Sequence, residues 1–366
     1  MATENDRIPA AGLPYDVVVV GGGAAGLSGA LTLARARRSV LVVDAGEPRN
    51  APAGGVHTYL GREGTPPADL LATGRAEVAG YGGTVVAGRV VAARPLPGSR
   101  ETARGFAVTL ADGTEVMARR LLLATGLIDE LPDVPGLAER WGRDVLHCPY
   151  CHGWEIRDRP VGVLATGPKG VDQALLLRQW SPEVTLFRHT APDPTDEQGE
   201  RLAARGIAVV DGEVAGVEVT GDRLTGLRLR SGRVVACEAV AVAPRFAARD
   251  QVPASLGLAV AEQRVGDHVL GTAVATGAAG AAEVPGVWVA GNAVDLAAGV
   301  IGSAAAGFTA AVAINADLVA EDTDRTVAVR RAREAGAREA GARRPFSARG
   351  EAEESERVLG ARRHGL

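Results

Sequence analysis

Residues Tyr15 to Val20 are apolar and mostly β-branched apart from Asp16, and the run stops at three glycines. Such a run predicts a strand buried on both faces of a parallel sheet. Ser28 to Arg37 then predicts a helix and Val40 to Asp44 a second buried strand, which together make one βαβ unit. Thr84 to Gly126 predicts short strands joined by hairpins, with Asp112-Gly113 as a turn between alternating runs. That block ends in Leu121-Leu122-Leu123-Ala124-Thr125-Gly126, an apolar strand stopping at a glycine. The pattern then repeats. Val161 to Leu164 is a strand, Gly167 to Gly170 a tight loop, Val171 to Gln179 a helix and Val184 to Phe187 a strand. A hairpin region follows over Val214 to Val219, Arg223 to Arg230 and Val234 to Ala243, and Val287 to Leu318 returns to a strand and a long Ala-rich helix. Two related units stand in series, each a Rossmann-like half with an inserted β-meander. Beyond Glu321, Arg, Glu, Ala and Gly dominate to Leu366. This stretch has too little apolar surface to offset the entropy of ordering it, and predicts a loose helix or a disordered tail.

The 366 residues suffice for two domains. A net charge of -4 gives no reason to expect nucleic acid or an anionic membrane as partner. Three cysteines are too few for a structural disulfide framework, and Cys237, in an apolar run, reads as a buried small hydrophobe. Met1 to Pro14 lacks the basic-then-apolar pattern of a signal segment. Leu296 to Ile314 carries no charge, but it is mostly Ala and Gly; a buried helix packed against a cofactor accounts for it better than a lipid-facing one. No membrane association is expected, and the expected compartment is the cytoplasm.

Two motifs carry chemistry. Gly21-x-Gly23-x-x-Gly26 follows a strand and opens a helix. Gly21 allows the tight turn, Gly23 lets the backbone approach a pyrophosphate, and Gly26 lets helix and strand pack closely. Ala24 and Ala25 lie between, at the helix N-terminus that offers N–H groups to phosphates. Asp44 ends the next strand, where an acid accepts ribose hydroxyls. Late in the chain, Val287 to Asn292 reads as a buried strand ending at Gly291 and the polar Asn292, with a helix from about Val300 and Ile301. This arrangement suits the ribityl chain and carbonyl edge of a flavin, so FAD is the expected cofactor. The second motif is His147-Cys148-Pro149-Tyr150-Cys151-His152. Two thiols at this spacing can close and reopen a small disulfide, and beside a dinucleotide site they can exchange two electrons with a flavin. A structural zinc site would need four ligands, which these neighbours supply awkwardly, so no metal is expected.

With these residues in order, Tyr15 to Val319 resembles the low-molecular-weight thioredoxin reductase family of FAD-dependent pyridine nucleotide-disulfide oxidoreductases. The resemblance rests on the N-terminal glycine motif, the Ala124-Thr125-Gly126 strand end, the CxxC and the late Ala290-Gly291-Asn292 strand. It implies an α/β fold of two Rossmann-like three-layer (ββα) domains, the second inserted into the first, each with a β-meander. The FAD domain would comprise 13–130 and 245–320, the central CxxC and NAD(P)-type domain 131–244, and the tail 321–366. Val90, Thr125 and Gly126 join the implied FAD-binding positions, His57 lies where the family often covers the flavin, and a homodimer is implied. Cys151 would be the sulfur that reacts with the flavin and Cys148 the sulfur that exchanges with substrate. A CxxC lowers the first thiol pKa from ~8.5 toward ~7, which raises the thiolate fraction.

The chain departs from the reductase pattern in ways that bear on activity. His152 stands where reductases carry an Asp, and a His after the CxxC resembles the dithiol oxidases that close disulfides in small sulfur metabolites. An imidazole there can take a proton from an incoming dithiol. The second nucleotide loop, Ala165-Thr166-Gly167-Pro168-Lys169-Gly170, lacks its first glycine, and Pro168 removes an N–H. Only Arg188 and His189 stand where NADPH-using members grip a 2′-phosphate, with Lys169 as a compensating cation, which weakens the case for NADPH without removing it. Asn292 replaces the usual Asp, keeping an acceptor oxygen and dropping the charge. Trp154 and Glu155 are expected to anchor the CxxC loop. The favoured function is an FAD-dependent dithiol oxidase acting on a small dithiol. The alternatives are an NADPH-dependent reductase of a thioredoxin-like protein and a flavin-binding redox sensor.

Overall fold

A computed structural model describes residues 14–97, 105–266, 268–339 and 348–359. The segment read as lacking a signal pattern, and parts of the expected tail, lie outside these described residues. The chain divides into two units, 1–314 and 315–366.

The first unit opens with β1 (Tyr15–Val20), α1 (Ala24–Arg35) and β2 (Val40–Asp44). β1 pairs in parallel with β2 on one side and with Glu115–Leu123 on the other. Thr84–Ala87 extends the sheet beyond β2, and Val287–Val289 adds a parallel strand against Leu121 to Leu123. Glu115–Leu123 is bifunctional along its length. Its second half belongs to the parallel sheet, while Glu115 to Ala118 pairs antiparallel with Phe106–Leu110, which pairs with Val90–Pro95. One long strand thus joins the nucleotide-type sheet to its meander. Val18, Val20, Leu41, Val43, Leu121 and Leu123 share one buried cluster with meander residues such as Phe106 and Val108, as the period-2 alternation of strands requires. The hairpin turns at Asp112-Gly113 as expected, with Gly113 in the left-handed region.

The second sheet is all parallel, in the order Ala208–Val210, Val184–Phe187, Val161–Leu164, Ala239–Val242, Val145–Leu146. Val161, Val163, Ala239 and Ala241 pack with Val171, Ala174 and Leu177 of the helix Lys169–Leu177. Leu164, Phe187, Val240 and Val242 pack the opposite way, with Leu224, Leu227 and Leu229 of an antiparallel three-stranded meander. This is the expected three-layer arrangement. Cys237 lies in the same apolar cluster, and burial pushes its thiol up to about 12.

Two readings need correction. Val234 to Ala243 is two strands in different sheets, because the chain leaves the meander at Ala236 and re-enters the parallel sheet at Ala239. A four-stranded sheet of Leu127–Glu130, Arg245–Ala248, His268–Val274 and Val260–Val265 was not anticipated. Its strands are short or interrupted by polar residues, so they leave no clean periodic signal.

The Ala- and Gly-rich character of 296–314 has a packing cause. A Cβ on Gly307 would stand 2.0 Å from the Ala25 carbonyl oxygen, so the late helix and α1 cross with their backbones in contact. In the second unit that helix continues to Glu339, a second helix spans Ala348–Leu359, and i,i+4 pairs such as Arg325–Glu321 and Arg330–Glu334 line the surface. The described part of the tail is therefore helical.

Leu122 is fully buried at the centre of the first sheet. Leu122→Ala should destabilise the fold by roughly 2–5 kcal/mol, read as a lowered denaturant midpoint with unchanged slope.

Candidate active site

The glycine motif forms a cradle. Gly21 has φ +104°, and a Cβ on it would collide with the Ala124 carbonyl oxygen at 2.4 Å. A Cβ on Gly26 would stand 1.9 Å from the Gly21 carbonyl oxygen, so α1 rests directly on the turn. Gly23, by contrast, has nothing within 4 Å of where a Cβ would be. It lines an open cavity of about 900 Å³ together with Gly21, Ala24 and Ala25. No side chain caps α1, which leaves its first-turn N–H groups for an anion. At the end of β2, Asp44 accepts from Gly22 N at 3.1 Å and from Arg75 Nη2 at 2.8 Å. Burial alone would raise this carboxyl, but Arg75 and the Gly22 and Gly46 amides hold it below the usual carboxylate range.

Asp44, Val90, Thr125, Gly126, Gly291, Asn292 and Val300 line the same cavity. Gly26 and Ile301 do not; Gly26 is used in packing, and Ile301 is exposed at 45%. Asn292 Nδ2 donates to the Asp295 and Ala298 carbonyls, both at 2.9 Å. An Asp could not make these bonds, which gives the Asn a structural reason to be there.

The cysteines face this cavity too. Cys148 is the N-cap of the short helix Pro149–His152, and Cys151 N–H and His152 N–H both donate to its carbonyl. The Cys151 thiol donates to Cys148 Sγ across 2.6 Å. That bond, the Cys151 and Tyr150 amides and the Arg49 charge outweigh burial and pull Cys148 down to about 6. Cys151 moves the opposite way, far above the thiol range, because its thiol donates a hydrogen bond to Cys148 and sits half-buried beside that charge. Arg49 was not singled out in the sequence. It is fixed by a bidentate pair to Asp129 at 2.7 and 2.8 Å and lies 5.1 Å over the Phe246 ring. A lone Arg after a Gly-Glu-Pro turn carries no motif, and only folding brings it to the cysteines.

His152 also lines the cavity. Its Nε2 is buried without a hydrogen-bond partner, and burial holds its pKa below the usual imidazole value. It is a neutral base at neutral pH. His147 borders the cavity as well, but its Nδ1 lies 3.2 Å from the Val242 carbonyl oxygen and its ring stands edge-on to Phe246. Trp154 is no anchor. It is exposed at 66% and its ring lies under the Arg157 guanidinium, while the neighbouring Ile156 is the buried residue.

The second nucleotide loop is altered consistently with its sequence. A Cβ on Gly170 would stand 2.3 Å from Ala165 Cβ, so the methyl at 165 uses space that a smaller residue would leave free. Arg188 is ion-paired with both Asp193 and Asp211. His189 Nδ1 accepts from Val214 N at 3.0 Å, and burial lowers its pKa.

The pattern of the pyridine nucleotide-disulphide oxidoreductase family matches residues 15–311. The chain belongs to that family. A crystal structure of HlmI is 47% identical with a TM-score of 0.79, over 86% of this chain and 96% of that one. The crystal structure of the oxidoreductase from Agrobacterium tumefaciens is 34% identical with a TM-score of 0.76, over 84% of this chain and 99% of that one. Thioredoxin reductase tcpT of Claviceps purpurea is 38% identical over 178 residues, 47% of this chain and 54% of tcpT. The chain spans about half the length of the curated relatives it matches. Within the pyridine nucleotide-disulphide oxidoreductases it is thioredoxin reductase-like, a class built on FAD. The glycine cradle, the uncapped α1 and the Asp44 carboxylate fit that group.

A lowered thiol pKa means that thiolate persists down to the folded value. Alkylation of Cys148 in the reduced protein should therefore show a midpoint near pH 6, and Arg49→Met should move it upward, as read by the pH dependence of iodoacetamide labelling.

Proposed function

We propose that the protein is an FAD-dependent dithiol oxidase for small dithiols. The observation that carries this reading is a single cavity bearing the nucleotide cradle, Cys148, Cys151 and the unpartnered base His152. In the proposed reaction a substrate thiolate attacks Cys148 and the Cys148–Cys151 bond breaks. The second substrate thiolate then displaces Cys148, closing the substrate disulfide. Two electrons end on the cysteine pair. Of the two substrate protons, one goes to Cys151, whose thiol holds it firmly, and one to His152, because Cys148 leaves as a thiolate. When bound, FAD supplies the acceptor for this electron pair, with oxygen as final acceptor.

The names of the curated relatives favour the reverse direction, an NADPH-dependent reductase of a thioredoxin-like disulfide. Against it stands Arg188, which follows the strand where a 2′-phosphate would be gripped and which already faces two carboxylates. A phosphate there would have to displace them and meet their charge. The assignment of 13–130 with 245–320 to FAD and of 131–244 to the cysteines belongs to this reading, as do a homodimer and a cytoplasmic location.

In an anaerobic mixture, a dithiol should bleach the flavin and NADPH should not; fast bleaching by NADPH would reverse the assignment. Cys148→Ser should lower dithiol turnover by about 10³-fold or more while the protein stays yellow, and wild-type turnover would refute the mechanism. His152→Ala should slow oxidation by roughly 10²-fold. Because burial lowers the imidazole pKa, its base form survives below pH 6.5, so the acid limb attributed to it should lie below that value and vanish in the variant.

A further inference from the structure

The cysteine site has a second histidine. His57 sits at the start of a loop closed by the Val56–Thr65 bridge, with Val56 N donating to Thr65 O at 2.8 Å and Gly64 N to Val56 O at 2.9 Å. Glu63 reaches back across this loop. One carboxylate oxygen lies 2.6 Å from His57 Nδ1, and the other accepts from Thr58 N at 2.9 Å. The carboxylate is the acceptor, so Nδ1 carries the hydrogen and Nε2 is the basic nitrogen. Nε2 faces Glu155 at 3.6 Å, and the His57 ring stands edge-on to the His152 ring with centroids 6.2 Å apart. Gly55 allows this placement, since a Cβ there would come within 3.2 Å of Nε2. His57 is largely buried, whereas Glu63 is 66% exposed, so the pair runs from the cavity to the surface.

We propose that His57, oriented by Glu63, is the exit base of this site: it receives the proton taken up by His152 and delivers it to solvent at Glu63. The inference rests on the dithiol oxidase reading and extends it. Per substrate oxidised, the cysteine pair gains two electrons, Cys151 keeps one of the two thiol protons, and the other must leave. His152 has no hydrogen-bonded partner to hand it to directly. The adjacent imidazole, its ring centroid 6.2 Å from that of His152 and its Nε2 facing Glu155, supplies the next stop. Nothing in this step is oxidised or reduced; a proton moves from one imidazole to the next and out.

The test uses the flavin-loaded full chain in its disulfide form, mixed anaerobically with dithiothreitol. Flavin bleaching and proton release to an indicator dye are followed together in weak buffer. His57→Ala should slow both by roughly tenfold or more, with little change in the half-saturating dithiol concentration, and added imidazole should restore the rate. Glu63→Gln, which keeps the shape but weakens the pairing, should slow proton release by a smaller factor. A wild-type rate in His57→Ala, or a loss that imidazole does not restore, overturns the proposal. If His57→Ala fails to hold flavin, His57→Gln is scored by the same two criteria. Cys148→Ser separates the two levels. If it oxidises dithiothreitol normally, the oxidase mechanism itself falls; if it is inactive while His57→Ala matches wild type, only the relay falls.

Discussion

The arrangement depends on an unequal sharing of one proton between two sulfurs. Cys151 donates to Cys148, so the negative charge settles on Cys148 and the proton on Cys151. Without that asymmetry the two thiols would be interchangeable. It is maintained by the first turn of a four-residue helix, whose amides address Cys148, and by the Arg49 charge nearby. Proline at the first helical position loses no bond there, because that N–H has no intrahelical partner in any case. The turn is short, and the Ile156 that follows it is buried in the core of the second sheet.

Arg49 links this chemistry to the fold. Its guanidinium is held by Asp129 from the unanticipated four-stranded sheet and stacks over Phe246 of the same sheet. A bidentate pair fixes the guanidinium plane more firmly than a single contact would. The sheet that sequence reading missed is thus the one that aims a positive charge into the site. The nucleotide cradle has the same logic: Gly21 meets the Ala124 backbone, Gly26 meets the Gly21 backbone, and the Cβ position of Gly23 stays clear of other atoms.

Strand boundaries were legible where the apolar run was nearly continuous. Tyr15–Val20, Val40–Asp44, Val161–Leu164 and Val184–Phe187 fall where their patterns put them, since strands buried on both faces read as near-continuous hydrophobic runs. Helix starts were less legible. α1 begins at Ala24 rather than Ser28 because Gly23 caps it without a side chain. The helix at Asp196–Ala204 has a complete capping box of Thr195 and Gln198, a local signal that was present in the chain and went unread.

The residue order alone determined the two glycine-turn units, the cysteine pair, the acid at 44 and the histidine at 152, because each is a local requirement of backbone geometry or side-chain chemistry. Tertiary structure decided the rest. It brought Arg49, separated from Cys148 by about a hundred residues, close enough to act on that sulfur. It set His57 beside His152 and closed Asp193 and Asp211 around Arg188. Electrostatic influence falls with distance through space, and distance through space is what a linear chain does not record.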